Sequence, residues 1–397
     1  MNIEQKNSSS LENEKKMINI LFFHNTLPEY RIGWFQNLSM IANVEYVFTN
    51  EELNKKDYGF DIDYERSKGL KSCYLSTGKN GFGQLKKIMN AIAMYDFVEL
   101  PPIDSFKEVV YSYYIVKKCK KNKIKVGYFW EKWEAPKEFQ PIKRRIKNMI
   151  LRVIPKIIYK NADVFFAVGE KSKSYFLGNG IPINKIKIIP DVSETVECEY
   201  FDIRQKYHIS SSKKIIMFLG RMLPQKGAKC LIKAFNLLES DVREKYHLLI
   251  AGDGDDLNAC KEIAKELKVE NITFAGSINP SQRENYFKQC DIFVYPVTYE
   301  GGWVDVWGLT INEAVQHGKI VIATDAVGSA YELITDGVNG YRIKPDSIEA
   351  LKNAILKIEK KDITESAKKE DAILMQKFNY KNMAKEYLEI VDDILKR

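Results

Sequence analysis

Residues 305–318 read Asp-Val-Trp-Gly-Leu-Thr-Ile-Asn-Glu-Ala-Val-Gln-His-Gly. Two carboxylates, Asp305 and Glu313, bracket a tight Trp307-Gly308-Leu309 turn. The spacing predicts a short helix beginning near Leu309 and stopping at Gly318, a residue suited to the first position past a helix end. Immediately before it, residues 291–295 (Asp-Ile-Phe-Val-Tyr) form an apolar run that reads as a buried strand. The unit is therefore strand, long loop, helix N-terminus. A helix N-terminus presents unpaired N–H groups and the positive end of the helix dipole, which together favour an anion.

The same rhythm extends in both directions. Toward the N-terminus of the chain, apolar strand-like runs at 18–24, 44–48, 95–100, 125–130, 161–168 and 185–189 alternate with helical patterns. In one of these, at 31–42, Ile32, Phe35, Leu38 and Ile41 share a face. The stretch 50–80 is irregular. The second half repeats the style, with strands at 214–219, 247–251, 272–275, 291–295, 319–323 and 339–343, and helical sequence from about 348 almost to the end. Alternating strands and helices predict two doubly wound, parallel α/β domains. The pattern loosens across 190–202, which places the boundary there. The expected division is a disordered tail at 1–16, an N-terminal domain at 17–195, a C-terminal domain at 196–378, and a final helix at 379–397.

Composition narrows the function classes. The chain has 397 residues, long for one core and suited to two. Its formal net charge of +8 is short of what a dedicated nucleic-acid binder carries, so no nucleic-acid partner is expected. Six scattered cysteines include no C-x-x-C pair, which argues against a disulfide framework or a metal site and fits a reducing compartment. No apolar run reaches the ~18 residues of a spanning helix. The polar first sixteen residues lack the apolar stretch of a signal peptide. The expected location is the cytoplasm.

Five segments carry candidate chemistry. Gly220-Arg-Met-Leu-Pro-Gln-Lys-Gly227 follows a strand and precedes a helix; Arg221 offers a planar fork and Lys226 a point charge to phosphate oxygens. It is not a Walker A loop, because the G-x-x-x-x-G-K-[ST] order is absent. The bland alternative is a βα loop with two solvated cations. Gly252-Asp253-Gly254-Asp255 sits at another strand end, where open parallel sheets bind ligands. It lacks the spacing and closing Glu of a calcium loop, so a tight βα turn is the better reading than a metal site. The third is the opening segment, whose loop 299–304 is longer than a capped helix with two surface acids requires. An anion site flanked by two hydroxyl-binding carboxylates describes a nucleotide diphosphate sugar.

The fourth segment, 143–160, holds seven basic residues (Lys143, Arg144, Arg145, Lys147, Arg152, Lys156, Lys160) and no acid. Its apolar residues follow a helical spacing, with a kink expected at Pro155. Such a helix either lies on an anionic membrane surface or packs its apolar face on a core. The fifth is the N-terminal domain's strand-end set: His24, Glu29 and Arg31, with Glu131, Lys132, Trp133 and Glu134. These residues are candidates for an acceptor pocket, with His24 the weakest because a lone His beside an apolar strand is more often structural.

The second half resembles the retaining nucleotide-sugar glycosyltransferases of family 4, which have the GT-B fold of two Rossmann-like domains facing across a cleft. The resemblance is carried by Gly220-Arg221, Lys226-Gly227, Ala251-Gly252-Asp253-Gly254, Phe274-Ala275-Gly276, Asp305-x-Trp307-Gly308-Leu309, Glu313-Ala314 and Gly318. It continues in Ala323-Thr324-Asp325, Gly328, Glu332 and Asp336-Gly337-x-Asn339-Gly340. It spans roughly residues 160–390; the first half fits by pattern only. The resemblance implies that Arg221 and Lys226 hold the donor diphosphate and stabilise the leaving group, with no metal cofactor. It implies that Glu313 binds the ribose hydroxyls and Asp305 the transferred sugar, that the 307–310 backbone (Trp307, Gly308, Leu309, Thr310) meets sugar and phosphate, and that Gly276 and Ser277 lie near the base. Gly220, Gly252 and Asp253 complete the donor side, and His24 and Glu131 stand on the acceptor side. The final helix is implied to cross back to the first domain.

Several positions depart from the family pattern. The first acid is Asp rather than Glu, and the longer loop makes Glu300 a rival for its place. Asn25-Thr-Leu-Pro replaces a glycine-rich loop, Glu131-Lys132 replaces a histidine, and Pro190-Asp-Val-Ser replaces Pro-Asn-Gly-Val. The expectation is a retaining hexosyltransferase using a UDP-sugar. Its acceptor would be a cell-surface glycan or a lipid-linked acceptor, reached peripherally at the inner membrane face through 143–160. The alternatives are a nucleotide-sugar epimerase or isomerase on the same fold, or a non-catalytic nucleotide-binding partner.

Overall fold

The computed structural model describes residues 17–50, 69–76, 78–103, 105–153, 156–195 and 197–397. The expected tail at 1–16 and the kink at Pro155 lie outside the described residues.

Two all-parallel sheets organise the chain. The first has the order β3-β2-β1-β4-β5-β6-β7, built from Asn19–His24 (β1), Asn43–Phe48 (β2), Ser72–Tyr74 (β3), Phe97–Leu100 (β4), Lys125–Phe129 (β5), Val164–Ala167 (β6) and Ile186–Ile188 (β7). The second has the order β10-β9-β8-β11-β12-β13, from Lys214–Leu219 (β8), Tyr246–Ala251 (β9), Ile272–Gly276 (β10), Ile292–Tyr295 (β11), Ile320–Thr324 (β12) and Gly340–Ile343 (β13). Strands such as β1 and β12 are apolar nearly throughout because helices cover both faces of each sheet. In both sheets the order reverses at the first strand, between β1 and β4 and between β8 and β11. Ligands of open α/β sheets bind at such switch points.

The covering helices are Glu29–Ile41 (α1), Gly78–Asn90 (α2), Phe106–Lys121 (α3), Ile142–Val153 (α4), Lys156–Asn161 (α5) and Glu170–Gly178 (α6) in the first half. The second half has Ile203–Lys206 (α7), Ala228–Asn236 (α8), Ser240–Arg243 (α9), Leu257–Glu266 (α10), Arg283–Gln289 (α11), Leu309–Gln316 (α12), Ala330–Leu333 (α13), Ile348–Lys360 (α14), Thr364–Lys377 (α15) and Tyr380–Leu395 (α16). The buried face of α1 is Arg31, Ile32, Trp34, Phe35 and Leu38. Ile41, expected on that face, is exposed, because it falls in the last turn where Ala42 takes up the inward position.

The last helix docks on the first domain. Tyr387 of α16 inserts among Phe22, Trp34 and Phe166, with its ring 4.7 Å from that of Phe166. Its hydroxyl donates to Glu99 Oε2 at 2.8 Å, and the Tyr380 hydroxyl donates to the Tyr30 carbonyl at 2.8 Å. Gly33 makes room, since a Cβ there would meet the Tyr380 ring at 2.3 Å. Burial pushes the Glu99 carboxyl up to about 8, so this acid is a protonated hydrogen-bonding partner at neutral pH.

Candidate active site

The carboxyl edges of both sheets face one cleft of about 690 Å³. Its floor comes from the second sheet. The loop after β8 is zipped to the loop after β9: Gly220 N–H donates to the Ala251 carbonyl (3.1 Å) and Met222 N–H to the Asp253 carbonyl (2.7 Å). Gly252 is required at this contact, having φ +139° and a Cβ position only 1.8 Å from the Gly220 carbonyl oxygen. Gly227 likewise has a packing reason, because its Cβ would strike the Pro296 carbonyl at 1.9 Å. Gly220, Arg221, Gly252 and Asp253 all line the cleft.

Lys226 is nearly buried and points into this floor. Its Nζ is 2.7 Å from Asp305 Oδ2, it donates to the Tyr295 hydroxyl, and it lies 4.5 Å from the centre of the Trp303 ring. The Tyr295 hydroxyl in turn donates to Asp305 Oδ2 at 2.6 Å. Asp305 is held from behind by its own backbone, whose N–H donates to the Ala326 carbonyl at 2.9 Å. Burial opposes ionisation of Asp305, yet Lys226, the Tyr295 hydroxyl and Arg221 together hold its carboxyl below the ordinary value. Burial and the adjacent carboxylate drive the Tyr295 hydroxyl well upward, so it remains a donor.

Beside this triad, α12 starts in the cleft. Gly308 precedes it in a left-handed conformation (φ 85°), and no side chain caps the helix. The amides of its first turn are thus presented to the cleft through Gly308, Leu309 and Thr310, which line it. The Trp307 side chain is buried and donates to Asn312 Oδ1 at 2.8 Å, so its indole anchors the turn and its backbone is what meets the cleft. Gly318 closes the helix in a left-handed conformation (φ 63°), with the Lys319 N–H donating to the Ala314 carbonyl.

The other acids of the segment fall in different places. Glu313, one turn along α12, is tied to Arg283 at 2.5 Å, and it is Arg283 that lines the cleft, with Ser277 nearby. Burial raises the Glu313 carboxyl, with Arg283 opposing the rise. Glu300 sits exposed in a 3-10 turn, Glu300–Gly302, and is absent from the cleft lining, as is Gly276 at the end of β10. Of the two rivals for the first acid, the structure therefore brings Asp305 to the cationic centre and leaves Glu300 outside.

The first sheet supplies the opposite wall, with Glu29, Tyr30, Glu131, Lys132, Trp133 and Asp191. Arg31 is not on the wall but beneath it, 1% exposed, paired with Glu131 and with Asp191 at 2.9 Å. Burial works against its charge, and Asp191 and Glu131 more than offset this, so Arg31 stays charged and fixes both acids. His24 corrects the expectation of an acceptor-side residue. It is buried in the first domain, its Nδ1 is 2.8 Å from the Thr26 carbonyl, and it is absent from the cleft lining. Burial, then Arg31, keep it well below the ordinary imidazole range and hence neutral.

Contacts join the walls. Trp133 Nε1 donates to the Asp305 carbonyl at 3.4 Å, and Arg144 of α4 donates to the Gly301 carbonyl at 3.2 Å. The Phe139 and Tyr299 rings meet at 4.9 Å, so the long loop 299–304 leans on the first domain. Tyr295, Arg283, Trp303 and Asp191 were not singled out from sequence. Tyr295 closes a recognisable strand, but nothing local marks its hydroxyl as a partner of Asp305. Arg283 meets Glu313 across thirty residues with no motif between them. No helix among the described residues is long and apolar enough to cross a membrane.

Comparison with known proteins fits this geometry. Residues 199–375 match the family of glycosyl transferases group 1. The chain is 29% identical over 256 residues to an uncharacterized glycosyltransferase of Methanocaldococcus jannaschii, covering 64% of each protein. It is 26% identical to the lipopolysaccharide 1,2-N-acetylglucosaminetransferase of Salmonella typhimurium, over 57% of this chain and 61% of that one. These matches thus span somewhat under two thirds of the relatives' lengths. Among solved structures, Anabaena HepE in complex with UDP superposes with a TM-score of 0.72 over 95% of this chain and 100% of that one, at 17% identity. That likeness establishes the two-domain GT-B fold.

Proposed function

We propose that the protein is a glycosyltransferase that moves a hexose-type sugar, with retention of configuration, from a nucleotide diphosphate donor, UDP-linked by preference. The observation that carries this reading is the convergence of Arg221, Lys226, Asp305 and the uncapped α12 N-terminus at one switch point. In the reaction the bond from the sugar to the diphosphate breaks, and negative charge grows on the departing phosphate. Arg221, Lys226 and the first-turn amides of α12 are placed to stabilise it, which is the form of catalysis that fixed donors perform best. These cations take the place a divalent metal would fill, so turnover is expected to survive EDTA. Asp305 meets the sugar, and Glu313 acts on the ribose side together with Arg283.

The acceptor side is read as a glycan or lipid-linked acceptor of the cell envelope. Two observations support a peripheral membrane position: α4 exposes Ile142 (72%), Ile146 (51%), Met149 (59%), Ile150 (45%) and Val153 (54%), and the same helix exposes the basic Lys143, Arg145 and Lys147. The HepE structure holds UDP, which supports the choice of base.

The test is a panel of nucleotide sugars scored by thermal shift and by donor hydrolysis, since a ligand of the folded state raises its melting temperature. A UDP-sugar that stabilises the protein and is turned over supports the proposal; no response to any nucleotide sugar refutes it. Conversion of the donor sugar without acceptor marks an isomerase, and an inverted product anomer by NMR refutes retention. For the membrane part, anionic liposomes at low salt are expected to sediment the protein, and Met149→Asp to weaken this. Failure of the unmodified protein to sediment removes that part alone.

A further inference from the structure

A second concavity, a groove of about 940 Å³, runs between α4 and α6 on the first domain. Ile142, Ile146 and Met149 form its apolar side. Its polar side carries Lys137, Arg145, Arg152 and Lys171 against one carboxylate, Glu134. Arg152 and Glu134 pair at 2.6 Å and the Arg152 guanidinium lies 5.7 Å from the centre of the Tyr175 ring, so Lys137, Arg145 and Lys171 exceed the acids of the groove. Trp133 lines both the groove and the donor cleft, and its indole reaches the Asp305 carbonyl, so one end of the groove abuts the reacting centre.

We infer that this groove holds the acceptor itself: a single amphiphile with a phosphate-bearing, hydroxylated head and an apolar chain. The charge balance selects an anionic head. Lys137, Arg145 and Lys171 are the cations left over for a phosphate, and the transferase reading requires a hydroxyl on the head. The apolar chain lies along Ile142, Ile146 and Met149, whose exposed outer edges continue to the membrane-facing side of α4. Trp133 then sets the distance between head and donor. This rests on the transferase reading above, and it adds the location and chemical class of the acceptor.

The test uses decyl phosphate, below its micellar concentration, as the probe on the full chain. Decanol and inorganic phosphate are the comparison ligands, with UDP as a control for the donor cleft. Gly178 of α6 lines the groove, and a Cβ there meets nothing within 4 Å, so Gly178→Phe is the variant chosen to obstruct it. Calorimetry is expected to give saturable one-to-one binding of decyl phosphate, with decanol and inorganic phosphate weaker by about tenfold or more. Gly178→Phe and Arg145→Glu should each weaken decyl phosphate by about tenfold while UDP affinity is unchanged.

Equal affinity for decanol or inorganic phosphate would overturn the inference, as would binding unaltered in Gly178→Phe. If UDP binds and decyl phosphate does not, the groove assignment falls and the transferase reading stands. If UDP fails to bind, it is the transferase reading that falls. Gly178→Phe should still sediment with anionic liposomes, because the outer face of α4 is intact. Loss of sedimentation together with decyl phosphate binding would instead assign the groove to general membrane adsorption and refute a single-molecule site.

Discussion

Replacing Lys226 by Met tests the centre of the site most directly, because Met keeps the volume and removes only the charge. Lys226 Nζ and Asp305 Oδ2 are 2.7 Å apart, with side chains 8% and 18% exposed. At that separation the gross attraction is about 6 kcal/mol for an effective dielectric near 20. Taking both charges out of water returns much of it. A double-mutant cycle with Asp305→Asn should therefore read a coupling of about 1–3 kcal/mol.

The single variant leaves Asp305 half-buried and facing the Tyr295 hydroxyl and Arg221. Removing one partner of a buried pair costs about 3–5 kcal/mol, and the surviving 2.6 Å hydrogen bond from Tyr295 places this case at the lower end. The pH dependence follows with a definite sign. The native Asp305 carboxyl lies below its unfolded value, so its contribution is present above the unfolded value and fades as pH falls through the native one. Without Lys226 the native value rises, so acid unfolding should begin at higher pH. If Lys226 also stabilises charge on the departing diphosphate, kcat falls by about a hundred- to a thousandfold. Denaturant titrations across acidic pH and donor turnover at saturation measure the two effects. A coupling indistinguishable from zero, or a kcat within about threefold of the parent, would refute the reasoning.

Four further outcomes are expected. Asp305→Asn should lower donor turnover by about a hundredfold or more while Glu300→Gln stays within about threefold, measured as kcat on the best donor; the reverse order would make Glu300 the first acid. Gly252→Ala should cost several times what Gly276→Ala does in chemical denaturation. Both have positive φ, but only at Gly252 would the new Cβ meet backbone, at 1.8 Å, whereas at Gly276 nothing lies within 4 Å. Glu99, pushed up to about 8 by burial, retains its proton to higher pH folded than unfolded, so it contributes stability that is lost as pH rises from its unfolded value through about 8. Glu99→Gln should flatten that slope, and melting curves from pH 5 to about 9 that keep the parent's slope would contradict it. Arg283→Met should raise the Glu313 carboxyl further and weaken nucleotide affinity, read by UDP titration; unchanged affinity would detach Glu313 and Arg283 from the donor.

The sequence made the sheets legible because β1, β8, β11 and β12 are covered on both faces, which forces continuous apolar runs of strand length. Gly308 and Gly318 were legible because left-handed backbone before and after a short helix leaves few other choices of residue. What stayed hidden is of another kind. Arg31 looked like a wall residue, since its place after β1 fixes the backbone and not the direction of the side chain. Only the folded pairing with Asp191, 160 positions away, shows it lying beneath Glu131. His24 looked polar and available for the same reason, and the cost of burying it falls on its proton rather than on its position.

Asp305 and the loop 299–304 before it form one structural unit. Asp305 has one methylene fewer than Glu, and its backbone is fixed by the bridge to Val327, so its carboxylate reaches less far into the cleft than that of a Glu would. Tyr295 and Lys226 both converge on one oxygen, Oδ2, leaving Oδ1 as the oxygen not used by either contact. Trp303, the last aromatic of the loop and a neighbour of Lys226, lines the same cleft. The loop is held in that position from the other domain, through Arg144 to the Gly301 carbonyl and Phe139 against Tyr299. Gly302 lets this contact close, for a Cβ there would stand 3.0 Å from Gln140 Cα. A change of donor preference should therefore be sought at Trp303 and Arg144 as well as at Asp305. Asp305→Glu alone would extend a carboxylate into the cleft that Trp303 also lines, beside a loop that the first domain holds at Tyr299 and Gly301.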